Sequence, residues 1–344
     1  MNNKQEGVIM DKLKVLGVSA LCGSLAAISA QAGEMSVKGS ANATYTSKEK
    51  AVTGQPLGMT TGLTFTGTGE LDNGNTFTVN IAHDDQNTWS AADISVDIAG
   101  VGKITFDQGG GTGLDRLDDK MPTAWEESFD AGLGSNIVTA TGVGGGTDIE
   151  LAVDSGMLPD GVAVYLSYAP KATGDKVNDK ATSGVTTDGV NHGWDVVVEH
   201  GTLMDGLNVF AGVSHIDQSD SVDNDDRDSY VIGGTYAIGS VTLGYQYYKD
   251  SMGRTSIDMY ENHAYGLSFA VNDDLSISYG VHESDQDNGT EGSTVSLETS
   301  SLQAAYSMGG ATFKLARSSV DNASYSTATS NDYDVNTFAI SLAF

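Results

Sequence analysis

The residue types that usually carry catalysis are scattered along this chain. No two of its histidines stand at a helical spacing that would pair two metal ligands on one face. The segment Gly212–Ile216 begins like a nucleophile elbow, but Ile stands where its second Gly belongs. We therefore predict a protein that is not an enzyme, and a membrane-embedded protease or phospholipase is the alternative. The histidines are His83, His192, His200, His215, His263 and His282.

Two polar segments need a separate interpretation. The glycine-rich run 109–113 is not followed by Lys and does not open an amphipathic helix, so it predicts a flexible loop entry and not a phosphate site. The acidic loops predict either solvated surface or a Ca²⁺ site, although their spacing differs from the EF-hand pattern. Their carboxylates are Asp217, Asp220, Asp223, Asp225, Asp226 and Asp228, and then Asp285, Asp287 and Glu291. We predict no other cofactor.

Composition narrows the class of protein. The chain has 344 residues and a formal charge of −29, which excludes a basic nucleic-acid-binding surface. Gly is abundant (43) and Pro scarce (4), and the hydrophobic fraction is only 39 %. A low apolar fraction together with regular Val, Ile, Phe and Tyr fits strands that need only one apolar face. The acidic excess also predicts a lumen or mouth that attracts cations.

The N-terminus predicts an export signal over residues 1–32. Residues 11–14 supply a short basic start, an apolar stretch follows to about Ala30, and residues 30–32 have the small-x-small form of a cleavage site. Met10 is an alternative start. The single cysteine, Cys22, lies in the segment that would be removed, so the mature chain is predicted to have no disulfide. No later run is long and apolar enough for a membrane helix.

After Gly33 the apolar residues recur at every second position, which is the periodicity of strands. Short Gly- and Asn-containing turns alternate strictly with longer polar loops, a pattern typical of an antiparallel barrel in a bacterial outer membrane. We predict sixteen strands, and we place residues 136–141 inside a loop because both chain ends require an even number. The strands are 35–46, 59–71, 75–84, 91–98, 102–107, 147–155, 161–169, 193–203, 206–216, 229–238, 241–249, 263–271, 275–283, 297–308, 311–319 and 333–344.

A secreted, soluble double-sheet protein such as an adhesin or lectin would show the same alternation, so it is kept as the alternative. The aromatic residues favour the membrane barrel because they fall near strand ends, where the two membrane interfaces would place them. They are Tyr45, Trp89, Trp194, Tyr230, Tyr247, Tyr265, Tyr306, Tyr333 and Phe344.

The segment 108–146, here called the long loop, is about twice the length of most other loops, and such excursions are usually functional. Its first part is acidic. Met121, Trp125 and Phe129 form an apolar stripe that could pack against a barrel wall.

In its export signal, hairpin rhythm, long loop after the fifth strand and terminal Phe344, the chain resembles the general porins of Gram-negative outer membranes, nearest to the alphaproteobacterial kind. The resemblance implies a water-filled diffusion channel for small polar solutes, with a long loop that folds inward to narrow the pore. It also implies a homotrimer, contact with outer-membrane lipid and lipopolysaccharide, and assembly by the barrel assembly machinery. The C-terminal signature read by that machinery would be Phe338, Ile340, Leu342 and Phe344.

The resemblance also implies which residues face the constriction. Its acidic side would be Asp115, Asp118, Asp119, Glu126 and Glu127. The family usually sets an arginine cluster opposite, whereas the inward basic residues predicted from strand alternation are Lys38, Lys103 and Lys314, with no inward wall arginine. The inward acids are predicted to be Glu70, Asp93, Asp97, Glu150, Asp154, Asp195 and Glu199. This excess of acids predicts mild cation selectivity.

Overall fold

A computed structural model describes residues 33–49, 54–84, 88–174, 189–219, 225–254, 256–289 and 293–344, with residues 88–90 described by backbone alone. Sixteen antiparallel strands close into one barrel, each paired with its sequence neighbours, and β1 pairs with β16. The strands are β1 Met35–Lys48, β2 Leu57–Glu70, β3 Thr76–Asp84, β4 Thr88–Ile98, β5 Gly102–Asp107, β6 Asp148–Val153, β7 Val162–Ala169, β8 Val190–Met204, β9 Leu207–Gln218, β10 Arg227–Ile238, β11 Val241–Ser251, β12 Met259–Ala270, β13 Leu275–Asp287, β14 Thr294–Met308, β15 Ala311–Asp321 and β16 Tyr333–Ala343.

The predicted fold class and strand number are confirmed, and residues 136–141 form no strand. The closed barrel disfavours the soluble double-sheet alternative. Several strands are longer than predicted at their outer ends; β12, for example, begins at Met259 and not at 263. The apolar alternation marks only the part of a strand that faces lipid, whereas backbone pairing continues beyond it. In the described residues no helix is both long and apolar enough to cross a membrane.

The two faces of the wall differ as the alternation predicts. On β11, Leu243 and Tyr245 point outward and are exposed, while Gln246 and Tyr248 point inward and are buried. Successive side chains of a strand point to opposite faces, so one strand contributes both to the outer surface and to the lumen. Many inward residues of β7–β16 are buried. The long loop packs against several inward positions, among them Gly212, Gly244 and Gly266.

The barrel closes at the seam between β1 and β16. Nine residue pairs join the two strands, from Ser40 with Ala343 to Lys48 with Val335. Phe344 extends this seam, since its N–H donates to Gly39 O and Gly39 N–H donates to Phe344 O, both at 2.9 Å. A Cβ on residue 39 would lie 2.4 Å from the Phe344 ring, so glycine at this position leaves room for the ring.

The aromatic prediction is correct for most residues and wrong for one. Tyr45, Trp194, Tyr230, Tyr265 and Tyr306 are exposed on the outer face, as membrane interfaces favour. The side chain of Trp89 lies outside the described part of the chain. Tyr333 instead points into the barrel, where its hydroxyl donates to Leu133 O of the long loop at 2.9 Å. Its inward direction follows from the alternation of β16, in which its neighbour Val335 is fully buried.

Candidate functional site

The long loop leaves β5 at Asp107 and returns to β6 at Asp148, and one wall carboxylate holds both of its limbs. Asp195 on β8 accepts the N–H of Leu114 at 2.7 Å and the N–H of Val143 at 3.0 Å through the same oxygen. Asp195 is only 1 % exposed. A buried carboxylate that receives backbone N–H donors forms strong, charge-assisted hydrogen bonds, so Asp195 fixes the root of the loop.

A second wall carboxylate supports the same root. Glu150 on β6 accepts Gly113 N–H at 2.8 Å and forms an ion pair with Arg116 of the loop. The Arg116 guanidinium lies over the Tyr165 ring at 3.6 Å from its centroid. Leu114 and Leu117 on the intervening 3₁₀ turn are fully buried against the wall. The loop is therefore folded into the barrel.

The middle of the loop lies in a depression made by glycines. Gly244, Gly266 and Gly280 occupy directly paired, inward positions on β11, β12 and β13. We call this row the glycine trough. A Cβ at Gly244 or Gly266 would come within 2.3 or 2.6 Å of Pro122, so the absence of side chains lets the loop backbone approach the sheet.

Hydrogen bonds continue along the loop to the barrel seam. Ala124 N–H donates to Ser278 Oγ at 2.8 Å, and Glu126 N–H donates to Gln303 Oε1 at 3.0 Å. Thr337 Oγ1 on β16 donates to Ala131 O at 2.6 Å, and Lys48 Nζ on β1 donates to Leu133 O at 3.1 Å. The hydrogen bonds of residues 113–133 thus reach β6, β8, β13, β14, β16 and β1.

The strands β2–β4 form the wall across the lumen from the long loop, here called the free wall. Its inward side chains are mainly hydroxyls and amides, and it contains no lysine or arginine. Thr66 Oγ1 donates to Asn80 Oδ1 at 2.8 Å, and Asn80 Nδ2 donates to both oxygens of Asp93 at 3.0 and 3.1 Å. The charged group of this hydrogen-bond network is therefore the Asp93 carboxylate.

The predicted acidic residues of the loop divide into two groups. Asp118, Asp119 and Glu127, joined by Asp130, influence one another electrostatically and form what we call the acidic cluster. Asp119 and Asp130 are exposed to the lumen. The other two predicted residues serve the loop itself: Asp115 accepts Gly111 N–H at 2.6 Å, and Glu126 accepts Ala131 N–H at 2.9 Å.

The three predicted basic residues all face the lumen, but they are not together. Lys314 on β15 meets the loop, with its ammonium 5.5 Å from the centroid of the Trp125 ring. Lys38 lies near the start of β1 and is exposed. Lys103 lies near the start of β5, where it pairs across the strands with Asp97. The structure therefore brings only Lys314 against the long loop.

The prediction of no inward wall arginine is wrong. Arg227 opens β10, points inward and donates to both oxygens of Asp250, at 2.9 and 2.6 Å. The apolar alternation predicts a loop at Arg227, because the alternation of β10 begins only after this residue. Asp154, predicted as an inward acid, instead lies in a turn and accepts Gly156 N–H at 2.7 Å and Gly100 N–H at 2.9 Å. Arg227 is neutralised by Asp250, so the lumen gains no free cation from it.

Sequence reasoning also missed residues that act on the loop. Asp195 and Glu150 were predicted as inward acids, but their role as acceptors of loop N–H groups was not. The glycine trough was missed as well. Its sequence signal is three glycines inside neighbouring strands, all at inward-facing positions. Glycine within a strand often marks the close approach of another backbone.

The predicted Ca²⁺ loops are only partly described. Asp220, Asp223 and Glu291 lie outside the described residues. In the described part, Asp228 lies 2.8 Å from the His215 ring, and Asp226 accepts Gln218 N–H at 2.9 Å. No group of three or more His, Cys, Asp or Glu in the described ranges could hold a metal ion.

The charge of the acidic cluster is expected to depend on pH. Burial, together with the charges of Asp119 and Asp115, raises the pKa of Asp118 to about 7. Burial and the charges of Asp119, Asp118 and Asp130 raise the pKa of Glu127 to about 8. A carboxyl whose pKa is raised is neutral below that pKa and ionised above it, so negative charge at the loop increases from pH 6 to pH 9.

We therefore expect the K⁺/Cl⁻ permeability ratio to rise between pH 6 and pH 9 in bilayer recordings. The double variant Asp118→Asn and Glu127→Gln should flatten this rise, because it removes the two groups that titrate in the range. A wild-type ratio that is constant over the interval would contradict the charge assignment.

Comparison with known proteins agrees with this architecture. OmpT of Vibrio cholerae is 12 % identical and has a TM-score of 0.65, with 92 % of this chain and 99 % of that chain covered. OmpF of Salmonella typhi, solved with daunomycin, is 15 % identical with a TM-score of 0.64 over 91 % and 98 %. A mutant of the Rh. blastica porin is 17 % identical with a TM-score of 0.58 over 90 % and 100 %. At these identities the likeness concerns the fold.

No curated protein matches the chain. The family model for Gram-negative porins matches residues 17–298, most of the chain. This match confirms the resemblance inferred from the hairpin rhythm and the long loop. The chain therefore belongs to the Gram-negative porin family, and it is a diffusion channel of the outer membrane.

Proposed function

We propose that this channel prefers cations, and that the long loop and the free wall form its constriction. The observation that carries the proposal is the charge on the two sides. The loop presents the acidic cluster, and the facing strands β2–β4 present hydroxyls, amides and carboxylates, among them Asp93, with no lysine or arginine. Carboxylates around a narrow pore favour cations and repel anions.

The basic residues of the region are largely engaged elsewhere. Arg116 pairs with Glu150, and Lys120 donates to Glu199 Oε1 at 2.9 Å. Lys314 faces Glu126 and the Trp125 ring. Lys38 and Lys103 remain as lumenal cations of β1 and β5, so we propose that they moderate the preference and do not reverse it.

The proposed mechanism is passive diffusion through a shaped and charged opening. It involves no covalent chemistry, no resident cofactor and no enzyme activity. Pore width limits solute size, and the fixed carboxylates favour cations over anions. Ca²⁺ binding by the acidic outer loops stays a hypothesis outside this mechanism.

The proposed assembly is a homotrimer in lipopolysaccharide-containing membrane. A trimer form is described for the similar OmpT of Vibrio cholerae. Phe338, Leu342 and Phe344 point outward at the seam, where a C-terminal assembly signal would be accessible to the barrel assembly machinery. Residues 1–32, the proposed export signal, lie outside the described residues.

Single-channel recording of the purified protein in a planar bilayer tests the channel function. We expect discrete, large conductance steps in KCl, and a trimer should close in three equal steps under high voltage. A folded, heat-modifiable protein that gives no steps in the same membrane would refute the channel, and uniform single closures would refute the trimer alone.

A further inference from the structure

The outer loop between β15 and β16, residues 322–332, leans into the barrel. We call it the last loop. Ala323 is 4 % exposed and belongs to a buried apolar cluster with Leu133, Leu297 and Val335. Leu133 is part of the long loop, whereas Leu297 and Val335 are inward wall residues. The two loops therefore share one small core inside the lumen.

Three hydrogen bonds join the last loop to the returning limb of the long loop. Ser324 N–H donates to Ser135 O at 2.8 Å, and Asn136 Nδ2 donates to Ser324 Oγ at 2.8 Å. Val138 N–H donates to the Tyr325 hydroxyl oxygen at 3.0 Å. The last loop therefore holds residues 135–138 through hydrogen bonds that do not involve the strands of the wall.

Tyr325 connects this limb to the far wall. Its hydroxyl lies 2.7 Å from Ser284 Oγ on β13, and its ring centroid lies 5.2 Å from that of Tyr260 on β12. The side chain therefore spans from the β15–β16 hairpin across to β12 and β13. One hydroxyl joins the long loop and the wall, so its loss would release both contacts.

The backbone at this junction is strained. In the described part of the chain, the non-glycine residues with positive φ are Ala131 and Asn136 on the long loop and Asn322, Ser324 and Tyr325 on the last loop, with φ between 54° and 58°. The left-handed region is unfavourable for residues that carry a Cβ, and such residues persist where surrounding contacts over-determine them. The strain is concentrated where the two loops meet.

We propose that Tyr325 is a positioning residue for the pore constriction. Through Val138 it holds the returning limb of the long loop, and it thereby sets the open cross-section and the steadiness of the current. This inference rests on the constriction proposed above. A side chain that served folding alone would change stability without changing the current through folded channels.

The test is single-channel recording of Tyr325→Ala in the full mature protein. We expect the open-state conductance to increase, on the order of 1.2- to 1.5-fold, with greater current noise, because one limb is released while the trough-bound limb stays. Tyr325→Phe keeps the ring on Tyr260 and loses both hydroxyl contacts, so it should show the noise with a smaller change in conductance. Tyr279→Ala is the matched control, since Tyr279 is exposed on the outer face.

A disulfide gives the reverse experiment. The only cysteine of the chain, Cys22, lies in the proposed export signal, so Asn136→Cys and Ser324→Cys can be paired without competition. Oxidation of this pair in the Tyr325→Ala background should lower the current noise to the wild-type level. A reductant should then return the noise to the level of Tyr325→Ala. Should Tyr325→Ala not fold, Tyr325→Phe and the disulfide carry the test.

Wild-type conductance and noise in folded Tyr325→Ala or Tyr325→Phe channels would overturn the assignment, as would noise that is insensitive to the disulfide. Failure of the wild-type protein to form channels would instead refute the proposed function.

Discussion

Replacing Asp195 with alanine is expected to weaken the docking of both limbs of the long loop and to raise channel conductance. The variant removes the shared acceptor of Leu114 N–H and Val143 N–H, leaving both donors unpaired at a buried site. A hydrogen bond to a charged group contributes about 1.5–3 kcal/mol, so the docked loop should lose about 3 kcal/mol or more. That loss changes the ratio of docked to undocked loop about a hundredfold.

The measurements are single-channel conductance and cleavage of the long loop by an added protease. Asp195→Asn keeps the shape and one acceptor oxygen, so it should lie between wild type and alanine. Glu70→Ala removes an inward carboxylate from β2, away from the root of the long loop, which makes it the control for charge. Folded Asp195→Ala channels with wild-type conductance and protease resistance would show that the loop is held by other contacts.

Replacing Asp93 with arginine is expected to reduce the cation preference strongly. The substitution replaces one carboxylate of the free wall with a guanidinium, a change of two charges opposite the acidic cluster. A unit charge about 4 Å from a passing ion contributes about 1 kcal/mol in water, or about fivefold in ion occupancy. A change of two charges therefore lowers K⁺ occupancy and raises Cl⁻ occupancy, each by up to about 25-fold. We expect the K⁺/Cl⁻ permeability ratio to fall by at least about tenfold, and Asp93→Asn should give an intermediate value.

The matched control is Asp321→Arg, which makes the same change of charge on the outer face of β15. It should leave the permeability ratio near the wild-type value, because the guanidinium does not face the lumen. Equal effects of Asp93→Arg and Asp321→Arg would mean that net charge, and not the free wall, determines selectivity.

The barrel itself could be predicted from sequence because its physical basis is local. Alternation sets which face of a strand meets lipid, and turn residues such as Gly74 and Gly309 adopt the positive φ that tight hairpins need. The absence of lysine and arginine from residues 57–98 is also visible in the sequence. The consequence of this absence for the pore depends on the position of β2–β4 opposite the long loop, which the sequence alone does not show.

The details of the constriction depend on contacts distant in sequence, which no local pattern encodes. Asp195 lies 81 residues from Leu114, and Tyr325 lies 187 from Val138. Positive φ at Ser324 and Tyr325 has no sequence signal, because neither residue type favours it. The apolar pattern predicts a loop at Arg227, since the lipid-facing alternation does not extend to the outer end of β10. The inward direction of the long loop was predicted from resemblance, and the glycine trough now gives its physical reason.

The reversal potential of wild-type channels under a KCl gradient at pH 8 is the most direct test of cation preference. With most of the acidic cluster ionised and no lysine or arginine on the free wall, we predict a potential of the sign set by K⁺, larger at pH 8 than at pH 6. A potential of the sign set by Cl⁻ would contradict the proposed constriction, and so would a potential of zero.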